Sequence, residues 1–173
     1  MRYRGRLSQF TFGQVSAAQL AGLLTNGRLS GVLLEYELAA AFGVDHGGQG
    51  AGADLLDGGR PIQVKTFHRK DPTERFRSGP DRGKLKVERA DIWTTKSGLF
   101  DRQMTVARAR EADAYIGRYN AFLYLDISRL DELVYEFVLL PSATVARLKV
   151  GPCIAQAAIY RQVVGELDVP SPS

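Results

Sequence analysis

GADLLDGGRPIQVKTFH, residues 52–68, puts three polar side chains where a core strand would be apolar. Asp54, Gln63 and Lys65 stand among Leu55, Leu56, Ile62, Val64 and Phe67. Side chains alternate faces along a strand. Gln63, Lys65 and Phe67 therefore share one face, and Ile62, Val64 and Thr66 the other. Gly58-Gly59 suits a two-residue hairpin loop, since glycine reaches positive φ without strain. That loop pairs Asp57 with Arg60 and Leu56 with Pro61, and sets Asp54 opposite Gln63. A loop at Asp57-Gly58 shifts the pairing by two and keeps the faces. Opposed residues have Cβ atoms about 5 Å apart, so Asp54, Gln63 and Lys65 form one polar cluster. Such a cluster on a half-buried face is costly unless something satisfies it. A lysine–aspartate ion pair is one solution. The other is a divalent cation on Asp54 and the Gln63 carbonyl oxygen, with Lys65 beside it. Hard oxygen ligands of this kind suit Mg²⁺.

Outward from the hairpin, the pattern predicts a mixed α/β domain with helices covering a central sheet. Residues 1–12 read as an extended arm or edge strand. Ser16 is placed to cap a short helix over AAQLAGLL, which Asn26-Gly27 would end. Ser30 is placed to start a second helix, GVLLEYELAAAF, and Gly43 to stop it. Leu33, Leu34, Leu38 and Phe42 carry its apolar spacing. VDHGGQGAG reads as a glycine-rich loop without the Gly-Lys-Ser/Thr ending of a phosphate-binding loop. Residues 68–100 are a polar, basic insertion with no clear element. A helix follows over RQMTVARAREADAYI, then buried strands YNAFLYLDI and LVYEFVLL, then a helix over SATVARLK. The tail GPCIAQAAIYRQVVGELDV is ambiguous between helix and strand.

The 173 residues are 45% apolar, enough for a sizeable core. No apolar run is long enough to span a bilayer. MRYRGRLSQF has basic residues with no apolar stretch behind them, unlike a secretory leader. One cysteine and two separated histidines give neither a disulfide nor a Cys/His zinc cluster. A cytoplasmic protein is the expectation. The net charge of +4 hides an asymmetry. Residues 60–118 hold 15 Lys/Arg against 8 Asp/Glu, and the remainder 8 against 11. A basic middle suggests a face for a polyanion. Arg69, Lys70, Arg75, Arg77, Arg82, Lys84, Lys86 and Lys96 are the candidate phosphate or base contacts, and Trp93 to Ser97 a backbone-contacting loop.

An acidic residue, a turn and then (Asp/Glu)-x-Lys on the next strand resembles the signature of the PD-(D/E)xK nuclease superfamily. A preceding helix in many members adds a glutamate as Gly-x-x-x-Glu, and GVLLE supplies Gly31 and Glu35 at that spacing. The resemblance covers residues 31–67. Ala53 stands where proline is common, and Gln63 replaces the usual acid. Glutamine can still offer an oxygen ligand, but it brings no negative charge.

The resemblance implies a restriction-endonuclease-like core over residues 1–173, with the basic insertion at about 68–100 reaching DNA. It implies a Mg²⁺-dependent endodeoxyribonuclease, with Mn²⁺ as a substitute. Asp54, Gln63 and Glu35 would hold the metal, and Lys65 would orient water or stabilise oxyanion charge. Glu37 competes with Glu35 for the helical position, since two residues apart on a helix face different directions. A type II restriction enzyme acting on double-stranded DNA is expected to be a twofold homodimer. The alternatives are a junction-resolving, repair or transposition nuclease, and an inactive DNA-binding relative. Among other polar residues, His46 reads as solvated, His68 as a strand-end residue, and Asp57 as a turn residue. Glu111 and Asp113 read as exposed helix charges.

Overall fold

The computed structural model describes residues 2–6, 11–12, 15–16, 19, 27–48, 52–93 and 106–162. Five strands and one helix frame the hairpin: β1 (Arg2–Arg6), α1 (Gly27–Phe42), β4 (Asp45–His46), β5 (Leu55–Asp57), β6 (Arg60–Phe67) and β9 (Val134–Pro141). With β8 (Ala121–Asp126) these strands form a six-stranded mixed sheet in the order β1-β9-β8-β6-β5-β4. Only β6 and β8 pair in parallel within it. Thr11–Phe12 (β2) and Val15–Ser16 (β3) form a separate short hairpin. The expected α/β architecture, helices over a mixed sheet, is therefore present.

Each face of the sheet has its own core. Leu34 and Leu38 of α1 pack on Leu55, Ile62, Val64, Leu123, Leu125 and Phe137. On the other face lie Tyr115 and Ile116 of α2 (Val106–Ile116), Val145 of α3 (Ser142–Leu148) and Ile159 of α4 (Gln156–Arg161). They cover Phe67, Phe122, Tyr124, Val138 and Leu140. All six residues of β8 are buried, which is why AFLYLD is a continuous apolar run rather than an alternating one.

Several expectations need correction. The second helix begins at Gly27, so Ser30 lies inside it rather than at its start. Arg28 and Leu29 are good helix formers and let the helix extend backward. Its end is as expected: after Gly43, Val44 N–H bonds to Ala39 O at 3.0 Å. Ser16 and Gln19 bond reciprocally, backbone N–H to side-chain oxygen at 2.9 and 3.3 Å, as in a capping box. Residues 17, 18 and 20–26 of that first expected helix lie outside the described residues. The glycine-rich loop contains strand β4. The basic insertion contains a strand, β7 (Ala90–Trp93). It pairs with β11 (Cys153–Ala155), and β11 with β10 (Lys149–Val150), in a second small sheet. The described part of the ambiguous tail, up to residue 162, thus resolves into β11 and α4.

Candidate active site

The hairpin closes as its glycines dictate. Asp57 pairs with Arg60 and Leu56 with Pro61. Gly58 and Gly59 take φ of 54° and 81°, the turn that matches strand twist. Asp57 is a turn residue, ion-paired to Arg60 at 2.6 Å.

The register departs from expectation at Asp54. Leu55 pairs with Ile62, and Asp54 N–H also bonds to Ile62 O at 3.2 Å. The ladder ends at that pair and Asp54 lies in the bend just before it, which re-aims the aspartate. Its Oδ2 accepts the Val64 N–H at 2.7 Å and the Gln63 Nε2–H. The amide edge beside Asp54 is thus NH₂ rather than the expected carbonyl oxygen, because a carboxylate takes a donor. A half-turn of the amide exchanges the two.

Gly47 seals this corner. Its N–H bonds to Asp54 O at 2.8 Å, and a Cβ there would lie 1.9 Å from the Ala53 carbonyl oxygen. Only glycine lets the β4 edge approach so closely.

Lys65 shares the Gln63 face and meets α2. Its Nζ donates to the Tyr115 hydroxyl at 3.3 Å and lies 5.4 Å from that ring's centroid. Burial lowers the Lys65 pKa, opposed by the charges of Asp54 and Glu35. Burial likewise raises Asp54, opposed chiefly by the Val64 N–H and then by Lys65. Glu35 is raised by burial first and by Asp54's charge second. Asp54, Gln63, Lys65 and Glu35 are therefore one electrostatic group, assembled from a hairpin and the helix before it.

His46 corrects the expectation of a solvated loop residue. Its side chain is 17% exposed, and its ring stacks on Tyr36 at 3.8 Å. Nδ1 accepts the Gly48 N–H at 3.0 Å, which leaves the proton on Nε2 to donate to Glu35 Oε2 at 3.3 Å. Glu37 points elsewhere: it is half-buried and its charge acts on Tyr135. His46 and Tyr115 are the site residues that sequence reasoning missed. Helical spacing in α2 marks Tyr115 as core, but nothing in it names Lys65 as neighbour.

About half of the described cations of the basic insertion are matched by carboxylates. Arg69 pairs with Asp126 at 2.8 Å and Glu136 at 2.6 Å, and lies over the Tyr160 ring. Asp126 and Glu136 are buried and opposed on β8 and β9, so a cation between them is a folding requirement. Lys70 pairs with Asp91, Lys86 with Glu74, and Lys84 with Asp81 at 3.0 Å. Arg75 donates to Gly83 O at 2.5 Å. Arg77 and Arg82 are exposed with no carboxylate partner among the described residues. Lys96, with Thr94, Thr95 and Ser97, lies outside the described residues. His68 is exposed and its carbonyl accepts from Gln156, as fits a strand-end residue. Glu111 and Asp113 are exposed, Asp113 meeting Lys149 at 3.1 Å.

Among the described residues no group of three or more His, Cys, Asp or Glu gathers as a metal-binding set. The donor set that remains is two carboxylates and one amide. It has the chemistry of a hard-cation site: Asp54 and Glu35 are both partly desolvated, and the charge of Asp54 raises the cost of ionising Glu35, which positive charge would relieve. No helix among the described residues is long and apolar enough to cross a membrane. No protein-family model, curated protein or solved structure matches this chain.

Proposed function

We propose that this protein is a metal-dependent endodeoxyribonuclease of the PD-(D/E)xK kind, in its Gln-x-Lys form, acting on double-stranded DNA. The observation that carries the reading is the shared electrostatic group of Glu35, Asp54 and Lys65, with Gln63 bonded to Asp54. A small type II restriction enzyme working as a homodimer, in the cytoplasm, is the form it best suits. Asp54, Gln63 and Glu35 would hold Mg²⁺ or Mn²⁺. When bound, the cation supplies positive charge at the phosphate and acidifies water.

The chain's own residues do the rest. Lys65, held by Tyr115, presents an ammonium to phosphate oxygens as charge builds on them. A desolvated lysine has a lowered pKa, so it is also poised to pass a proton. His46 holds Glu35 in place by donating to one of its oxygens.

The test is plasmid DNA incubated with Mg²⁺ and with EDTA. Cleavage in Mg²⁺ alone is expected, with Lys65→Ala reducing the rate by about 10²–10³-fold, the cost of losing one charge-stabilising donor. Equal cutting by wild type, Lys65→Ala and Asp54→Ala removes the site assignment. A banding pattern fixed by sequence separates a restriction enzyme from a nuclease that cuts only branched DNA. A second reading, an inactive DNA-binding relative, has one observation in its favour: Gln63, Val64 and His46 already satisfy the two carboxylates internally. It predicts gel-shift binding with no cleavage in Mg²⁺ or Mn²⁺.

A further inference from the structure

Tyr119 lies just past the end of α2, where its N–H bonds to Ile116 O at 3.1 Å and its carbonyl accepts from the Ser142 hydroxyl at 2.7 Å. Its ring meets Tyr115 edge to face with centroids 5.0 Å apart, and meets Phe122 in the same way at 5.4 Å. All three rings are buried. Packing alone asks only for rings here, as Phe122 shows. The two hydroxyls need a further reason, since a buried hydroxyl costs free energy unless it finds a partner.

Both find partners, and the bonds run in one direction. Tyr119 donates its hydroxyl proton to Gly52 O at 2.9 Å. Gly52 has a φ of 73° and precedes Ala53 and Asp54 in the bend that delivers the aspartate. The Tyr115 and Tyr119 hydroxyls bond to each other, and burial first and this bond second raise the Tyr115 pKa. Lys65 Nζ donates to the Tyr115 hydroxyl at 3.3 Å. A hydroxyl has one proton to give, a carbonyl has none, and an ammonium only donates. Tyr119 has spent its proton on Gly52, so it accepts from Tyr115. Tyr115 has then spent its own, so it accepts from Lys65. Each bond of the chain therefore has a single possible polarity.

We infer that Tyr119 is a positioning residue for Lys65: acting through Tyr115, it fixes that hydroxyl as an acceptor, which holds one N–H of the ammonium and leaves the other two for a ligand. The inference rests on the nuclease reading for what those two protons meet, a phosphate oxygen, and adds the residue that aims them. Without the Tyr119 hydroxyl, the Tyr115 proton is free to turn toward Lys65, and the ammonium loses its fixed acceptor.

Proton–nitrogen correlation spectra of the lysine ammonium groups, recorded on the full chain, test this together with the kinetics of plasmid cleavage. A held ammonium exchanges its protons slowly enough to give a signal, and the signal missing from Lys65→Ala is that of Lys65. Tyr119→Phe keeps the ring and removes only a hydroxyl that does not bond to Lys65. It is expected to shift or erase the Lys65 signal and to lower kcat by about ten- to 10²-fold at unchanged KM, the mark of a misaimed group rather than of lost binding. Tyr115→Phe breaks the same chain, so the double variant should cut no more slowly than Tyr115→Phe alone. A wild type with no Lys65 signal overturns the inference without requiring any variant to fold. So does a signal that Tyr119→Phe leaves unmoved, and so do rate losses that multiply in the double variant. Cleavage by wild type with an unmoved signal sinks this inference alone. A signal that responds, with no cleavage in Mg²⁺ or Mn²⁺, sinks the nuclease reading and leaves the tyrosine chain standing.

Discussion

Asp54 illustrates how much a single residue can be asked to do. It accepts a backbone N–H, accepts an amide N–H, and remains ionisable in a partly desolvated corner. Its raised pKa has a consequence for stability. The folded state holds that proton more tightly than the unfolded chain, so stability falls as pH rises from the ordinary aspartate range through the raised value, then stays level. Asp54→Asn keeps the acceptor oxygen and deletes the charge. At pH 7 it should stabilise modestly, because water still reaches part of the carboxylate and weakens the desolvation. The gain should vanish in acid, where Asp54 is neutral as well. Thermal melts of both proteins from pH 3 to pH 7 measure it, and an Asn variant less stable at neutral pH would show that desolvation is not the dominant influence. At this scale the period-two alternation and the Gly-Gly turn made Asp54, Gln63 and Lys65 readable as a cluster. The bend at Asp54 was not readable, because the alternation of β6 does not tell where its partner strand stops pairing. Nor were His46 and Tyr115, whose partners are set by packing between elements distant in sequence.

Elements whose apolar period is strong were legible, and short ones were not. α1, β6, β8 and β9 each bury a regular row, so their sequences carry their own signature. β4, β7, β10 and β11 are two to four residues long and exist because a neighbour offers an edge. No period can show in so few residues. Two glycines make the contrast testable. At Gly31, within α1, an added Cβ meets nothing within 4 Å. Gly31→Ala should therefore stabilise by about 0.8–1 kcal/mol through helix propensity. Gly47→Ala meets backbone at 1.9 Å and should cost about 1–3 kcal/mol, as overpacking does. Urea unfolding of the two variants decides the matter, and a neutral Gly47→Ala would show that the β4 corner is looser than described.

Over the molecule as a whole, formal charge and available charge differ. The middle of the chain is rich in cations, yet Arg69, Lys70, Lys84 and Lys86 are paired with carboxylates. Composition counted them equally with Arg77 and Arg82, which are exposed and have no such partner among the described residues. Partner choice is a tertiary property, and for that reason the basic segment was visible in sequence while its usable part was not. If DNA is the ligand, Arg77→Ala and Arg82→Ala should each reduce the slope of log affinity against log salt by roughly 0.9, the value for one phosphate contact. Lys84→Ala should change it far less. Fluorescence anisotropy over a salt series distinguishes them, and equal slopes for all three would put the contact surface elsewhere.

The parallel pairing of β6 with β8 also dictates an order of events in folding. The β5–β6 turn closes over two residues, whereas β6 must await a strand that begins at Ala121. Ring closure over so long an excursion is entropically slow, and local turns form first. Asp54 and Gln63 can thus meet early, in a chain still largely unstructured. Lys65 receives Tyr115 only when the distant segment docks, so the ammonium gains its aromatic partner after the hairpin has closed.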